Sequence, residues 1–288
     1  MKDKTKKRKW NWAQILAIFV LVTLVVSMVY ATVNLITAPS GNVPEGQQTK
    51  GDYSLMLMQC VLGVVVLFLP SIISKKMKFV IPNAMYIVFI VFLYCAIYLG
   101  EVRSFYYLIP NWDTILHTFS GAMLGGLGFS IVSLLNNDER ITLSMSPVFV
   151  ALFACSFAVF LGVFWEFYEF AADSFGMNMQ KTMLEDGTML QGHAAVADTM
   201  GDLFVDFLGA FVISIIGYFS IRKNKKWMKN FEFKKVDEEV KIKNCQQSEK
   251  SFCWQFFYII LLSLSINIII KAINCKNAQT RIAYCANN

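Results

Sequence analysis

The chain has 288 residues, 56% of them hydrophobic and only 16% charged, with a formal net charge of +6 and a mean hydropathy of +0.50. A soluble domain carries about a quarter charged residues, so this composition excludes an ordinary soluble domain and points to a polytopic membrane protein. The positive charge gathers at residues 2–9, 75–78 and 222–229, beside apolar runs, which marks cytoplasmic loops rather than a nucleic-acid surface.

In chain order, a basic tail (1–11) precedes a first apolar run over 12–38. That run is longer than the core of a secretory signal and is read as an uncleaved helix. A Gly/Pro/Gln loop leads to a second span over 54–73, stopped by Ser74, Lys75 and Lys76, and a third over 80–99. A short connection carrying Tyr106, Tyr107 and Pro110 leads to the fourth span, 113–135. The fifth covers 147–172, the sixth 198–221, and the 173–197 loop between them is long enough to be a lid. Each run is close to or above the roughly 20 residues a helix needs to cross hydrocarbon. The expected fold is therefore all-α, a bundle of six transmembrane helices within a domain at 12–225. A charged cytoplasmic linker (226–250) and a region with a candidate seventh span and an atypical tail (251–288) follow.

Basic residues set the orientation. With the amino terminus inside, the cytoplasmic loops hold the three clusters and Arg140, while the outer loops hold only Lys50, Arg103 and Lys181. The expected location is the plasma membrane, with the bilayer as the principal partner. None of the seven cysteines forms a C-x-x-C pair, so zinc-ribbon and thioredoxin-type motifs are excluded. Cys60, Cys95 and Cys155 read as packing residues, and Cys275 and Cys285 could pair if they lie outside the cell.

Three spans carry ionisable groups where membrane helices normally have none: W-D-T-I-L-H-T-F-S-G (112–121), W-E-F-Y-E-F (165–170) and D-T-M-G-D-L-F-V-D-F-L-G-A (198–210). A charge inside the hydrocarbon costs roughly 2.5–3.5 kcal/mol on insertion scales, so these groups need partners. Asp113 and His117 are spaced i, i+4. Glu166, Glu169 and Asp173 are spaced i, i+3, i+7, and Asp198, Asp202 and Asp206 step by four. Each set occupies one stripe of its helix. By the loop orientation all lie in the outer half of the membrane, His117 about 6 Å below Asp113 and Asp206 about 12 Å below Asp198. The expectation is one polar pocket near the outer surface.

So many acids cannot all be ionised in a dry site without a neutralising cation. The sharper reading is a divalent metal, zinc, manganese, iron or magnesium, held by Asp113, His117, Glu166, Asp198, Asp202 and Asp206, with Glu169 as general base. Capping is the alternative for Asp113 and Asp198, since each opens a helix. Asp173 is a candidate solvated loop acid. Trp112, Trp165, Phe167, Tyr168 and Phe170 suit an interfacial aromatic belt, and Gly121, Gly125, Gly126 and Gly128 suit close helix packing. Met177, Met179, Met183 and Met189 with His193 give a weak copper-site pattern, for which flexible interfacial packing is the simpler use. There is no P-loop, G-x-S-x-G, G-x-G-x-x-G or H-E-x-x-H motif to support nucleotide, serine-hydrolase or zincin chemistry.

The three motif segments resemble YjdF-type bacterial inner-membrane proteins, a family grouped as a domain of unknown function, over about residues 50–225. That resemblance implies a multi-pass membrane protein and brings no established reaction. The order D-x-x-x-H, a glutamate, then D-x-x-x-D-x-x-G at 202–209 is more distantly similar to VanZ-like proteins, a group linked to glycopeptide-antibiotic resistance. Those chains often have Asn where this one has Asp206. The expected function is a metal-dependent enzyme acting on lipid-linked or cell-envelope small molecules. The alternatives are an ion- or proton-coupled transporter and a non-catalytic envelope-stress protein with the acids as interhelical glue.

Overall fold

A computed structural model describes residues 12–39, 48–136, 145–184, 188–223 and 233–235. The basic tail, all of the linker but residues 233–235, and the candidate seventh span at 251–270 lie outside the described residues, as do Cys275 and Cys285. Among the described residues, six helices are long and apolar enough to cross a membrane, and the protein is an all-α polytopic membrane protein.

α1 covers Trp12–Thr37 and α2 Lys50–Met77. α2 is longer than its apolar run because both ends are capped. Thr49 and Asp52 form a capping box at the start, and Lys78 ends the helix in the left-handed conformation. α3 (Asn83–Leu93) starts after Pro82, three residues later than the hydropathy suggests, and continues as a π-helical segment over Tyr94–Val102. A one-turn helix, α4 (Phe105–Leu108), then leads to α5 (Trp112–Asn136). α6 (Pro147–Asp173) has Ser146 as N-cap and proline at its start, both favourable there. A single 3₁₀ turn, Ala194–Val196, opens α7 (Ala197–Arg222). The only strands among the described residues are β1 (Phe79–Val80) and β2 (Lys234–Lys235), paired antiparallel.

Two groups of helices result. α1 and α2 pack on each other with α3 and the π-helical segment against them, while α5, α6 and α7 pack mutually, and α3, α4 and the π-helical segment touch α5. Large apolar side chains face outward, among them Phe19, Val65, Leu152, Phe160, Phe204 and Val212. Small and polar residues face inward. The buried positions of α6 are Val150, Ala154, Ala158, Gly162, Glu166, Glu169 and Ala172, and those of α7 are Asp202, Asp206, Gly209, Ala210, Ser214, Gly217 and Ser220. In lipid, helix association rests on close packing and polar contacts rather than on hiding Leu and Phe, which lipid already solvates. One end of the α5–α7 group is apolar, with Phe129, Val132, Val150 and Ala154 in one cluster. The opposite end holds the acids.

Candidate functional site

Close approach of α5 and α7 creates this end. A Cβ at Gly121 would meet the backbone of Asp206, and one at Gly209 would meet the backbone of Thr118. These contacts allow the two backbones to touch at the level of His117. Gly125 and Gly128 also lie at helix contacts, whereas Gly126 has open space beside it.

The His117 ring is buried and surrounded by carboxylates. Nδ1 is 3.3 Å from Asp206 Oδ2, and Nε2 is 3.7 Å from Asp113 Oδ1 and 3.9 Å from Asp202 Oδ2. Asp206 is fixed in turn, since Ser120 Oγ lies 2.7 Å from its Oδ1 and 2.8 Å from the His117 carbonyl oxygen. The single hydroxyl proton serves one of those acceptors at a time. From α6, Gly162 leaves the space that Asp206 Oδ2 occupies, for a Cβ there would stand 2.8 Å from that atom.

Asp113, His117 and Asp202 each bring one ligand atom within 4.8 Å of the others. Ligands about 2.1 Å from a zinc-sized ion stand about 3–4 Å apart, so the measured His117 separations fit a metal shell. Asp202 Oδ2 is buried and has no hydrogen-bond partner. With Nδ1 on Asp206, the ring presents Nε2 to the other two carboxylates, the carboxylate–histidine arrangement that orients metal-bound imidazoles.

Asp198 and Asp113 meet elsewhere. Lys181 Nζ is paired with Asp113 Oδ2 and lies 2.7 Å from Asp198 Oδ1, tying α5 to α7 through the 174–193 loop. α7 has no side-chain cap, and the Asp113 and Asp198 carboxylates both engage Lys181. Burial pulls the Lys181 ammonium toward neutrality, but the two carboxylates outweigh it and hold the group well above the ordinary lysine range.

Glu166 and Glu169 are buried on α6 and within electrostatic reach of His117. Trp165 Nε1 donates to Glu169 Oε1 at 2.8 Å, leaving Oε2 without a partner. Neither oxygen of Glu166 is hydrogen-bonded. Gln180 and Thr199 stand beside that carboxyl as its nearest polar neighbours, and Gln180 Nε2 lies 2.9 Å from Thr199 Oγ1. Asp173 shapes the loop rather than the pocket, accepting from Met179 N and Gln180 N.

The aromatic residues divide. Trp165, Phe167 and Phe170 are exposed on the helix surface, as a belt requires, while Trp112 Nε1 and Tyr168 OH are buried without partners. In the loop, Met183 and Met189 pair across an isolated bridge, Gln59 Nε2 points to Met179 Sδ at 3.8 Å, and His193 is exposed. Cys60, Cys95 and Cys155 are free.

Four residues of this region escape a reading of the spans alone. Ser120 follows His117 by three and could be found from spacing. Lys181 is the only lysine or arginine of the 173–197 loop, a signal visible once its neighbours are known to be acids. Glu101 lies in the last turn of the π-helical segment, just past the expected end of the third span. Tyr106 comes from α4, whose flanking turn holds Ser104 and Asn111 in left-handed conformations at about 1 kcal/mol or more each. Its ring lies against Gly100. Burial, then Asp113, Glu101, Glu169 and Asp202, keep the phenol well above its ordinary range, so it remains a hydroxyl donor.

No solved structure matches the chain, and none of the curated proteins compared with it does. A family model described as "Predicted membrane protein (DUF2238)" matches residues 12–223, which takes in all six spans and every residue of the site. The chain belongs to this family of membrane proteins.

Proposed function

We propose that the protein is a metal-dependent membrane enzyme whose site works at the outer face on lipid-linked or cell-envelope substrates. The observation that carries this reading is the convergence of Asp113 Oδ1, His117 Nε2 and Asp202 Oδ2, with the other ring nitrogen of His117 on Asp206. Asp113, His117 and Asp202 hold a divalent zinc-, manganese- or iron-type ion. Magnesium suits the site less, because imidazole favours the softer metals. Asp206 acts on the ring, keeping the proton on Nδ1 and the lone pair of Nε2 toward the ion. Asp198 and Glu166 border this trio and complete its negative field. When bound, such an ion polarises a substrate oxygen or lowers the pKa of a water. Glu169, oriented by Trp165, has one free carboxylate oxygen with which to accept a proton.

The loop charges favour a cytoplasmic amino terminus, which sets the pocket at the outer surface of the plasma membrane, where lipid headgroups enter from the side. The distant resemblance of the Asp, His and Glu order in the sequence to VanZ-like proteins supports an envelope substrate. The test is metal analysis of the purified protein. One bound divalent ion per chain in wild type, lost in His117→Ala and Asp202→Ala, supports the reading. A folded wild type that binds no ion and is indifferent to chelator contradicts it.

A second reading, a cation-coupled transporter, is favoured by one observation. Beyond Asp206 the buried face of α7 continues with the hydroxyls of Ser214 and Ser220 toward the other membrane end. Cation flux into proteoliposomes, abolished by Asp206→Asn, would select it. Flux equal to that of empty vesicles would remove it.

A further inference from the structure

Asp113 and Asp198 stand in the first turns of α5 and α7. His117 lies one turn below Asp113, so these two acids flank the mouth above its ring. Lys181 lies across that mouth. Its Nζ is paired with Asp113 Oδ2 and stands 2.7 Å from Asp198 Oδ1.

The run that carries Lys181, residues 174–184, is fastened to three more helices. Asp173, at the end of α6, accepts from the backbone N–H groups of Met179 and Gln180. Gln180 is buried, and its Nε2 donates to Thr199 Oγ1 on α7 at 2.9 Å. Gln59 Nε2 of α2 points to Met179 Sδ at 3.8 Å. The run also closes on itself, for Asn178 Nδ2 donates to the Met183 carbonyl at 2.7 Å and Asn178 Oδ1 accepts from Met183 N at 2.8 Å. Asn178 and Lys181 have left-handed backbones, with φ of 52° and 50°. Asparagine tolerates this conformation, whereas a lysine in it is strained and persists where its contacts over-determine it.

Two features mark a closure that opens rather than a fixed brace. Lys181 is half-exposed, and ion pairs open to solvent are individually weak, so a strained backbone favours their release. The lysine also spares the atom that faces the ring, because Asp113 gives it Oδ2 while Oδ1 stands 3.7 Å from His117 Nε2.

We propose that residues 174–184 are a strap, latched by Lys181 on Asp113 and Asp198, that closes the mouth of the site and opens to admit its ligands. This names a regulation of the site proposed above and rests on that reading. Latched, Lys181 holds Asp113 with Oδ1 toward the ion. Released, the mouth between α5 and α7 is open to solvent.

The test is hydrogen–deuterium exchange and thiol labelling of the full-length protein in detergent. Labelling follows Ser120→Cys, deeper than His117, in a background lacking native cysteines, with a cationic methanethiosulfonate reagent. Lys181→Met should speed amide exchange of residues 174–184 by about 10-fold or more and leave the interior of α6 unchanged. It should speed labelling at position 120 by a similar factor. Lys181→Arg, which keeps a cation able to reach both carboxylates, should stay close to wild type in both measurements. If Lys181→Met does not fold, Asp198→Asn, which removes one of the two carboxylates, should move both rates in the same direction. Unchanged exchange of the strap in the folded variant would overturn the latch. Faster exchange with unchanged labelling would overturn the closure and leave Lys181 a surface brace. Metal content, measured on the same proteins without the Ser120 substitution, reports separately on the enzyme reading: a metal-free wild type with both rates raised in Lys181→Met removes the ion and leaves the closure standing.

Discussion

His117 and Asp206 are 89 positions apart in sequence, yet Nδ1 of one lies 3.3 Å from Oδ2 of the other. The contact joins α5 to α7 where their backbones come closest, and it decides which nitrogen of the ring faces Asp113 and Asp202. If Asp206 works by orienting the ring rather than as a primary ligand, Asp206→Asn should keep the fold and bind metal about 10- to 100-fold more weakly. Asp202→Ala should bind none. Competition titration with a chromophoric chelator separates the two outcomes, and equal losses in both variants would make Asp206 a ligand like the others.

The glycines around Asp206 should divide by what they touch. Gly209→Ala meets the Thr118 backbone, which cannot yield, so the helices must part. Overpacking of this kind costs about 1–3 kcal/mol, visible as a lower melting temperature in detergent. Gly162→Ala meets only the end of the Asp206 side chain. It should melt close to wild type and still weaken metal binding, because Asp206 must turn away from His117.

Lys181 gives a pH prediction. Its folded pKa lies above the ordinary lysine value, so its pairing stabilises the fold fully below about pH 10.4 and is lost as the pH rises through the folded value. Lys181→Met should therefore lower the melting temperature by the same amount at pH 7 and pH 9, and by less above pH 11. The lysine is half-exposed, so solvent screening limits each ion pair to about 1 kcal/mol or less. A difference that grows with pH would contradict this pairing.

Orientation is open to direct labelling. In a background lacking native cysteines, Met189→Cys in the 174–193 loop should react with a membrane-impermeant maleimide on intact cells. Met77→Cys, exposed at the opposite end of α2, should react only after lysis. The reverse pattern would turn the pocket to the cytoplasm.

Much of this architecture is legible in the sequence because the membrane imposes a simple rule. Twenty apolar residues make a span, and the six runs became six helices with ends shifted by a few residues. Those shifts came from local chemistry that hydropathy does not weigh, such as the Thr49–Asp52 capping box and the Pro82 start. Spacing of three and four residues puts Glu166 with Glu169 and Asp202 with Asp206 on one stripe of each helix, and those four side chains are buried. It could not foretell how that face divides. The split between Lys181, which takes Asp113 and Asp198, and His117, which meets Asp113, Asp202 and Asp206, depends on a loop whose path no periodicity encodes. Tyr106 and Glu101 arrive through a π-helical segment and a left-handed turn, and neither has a repeating signature.

In the proposed site His117, Asp113 and Asp202 share one ion. Elemental mass spectrometry of protein purified in detergent without added chelator tests it most directly, comparing wild type with His117→Ala at matched fold and yield. About one zinc, manganese or iron per wild-type chain is expected, with a near-complete loss in the variant. Equal metal content in the two proteins would contradict it.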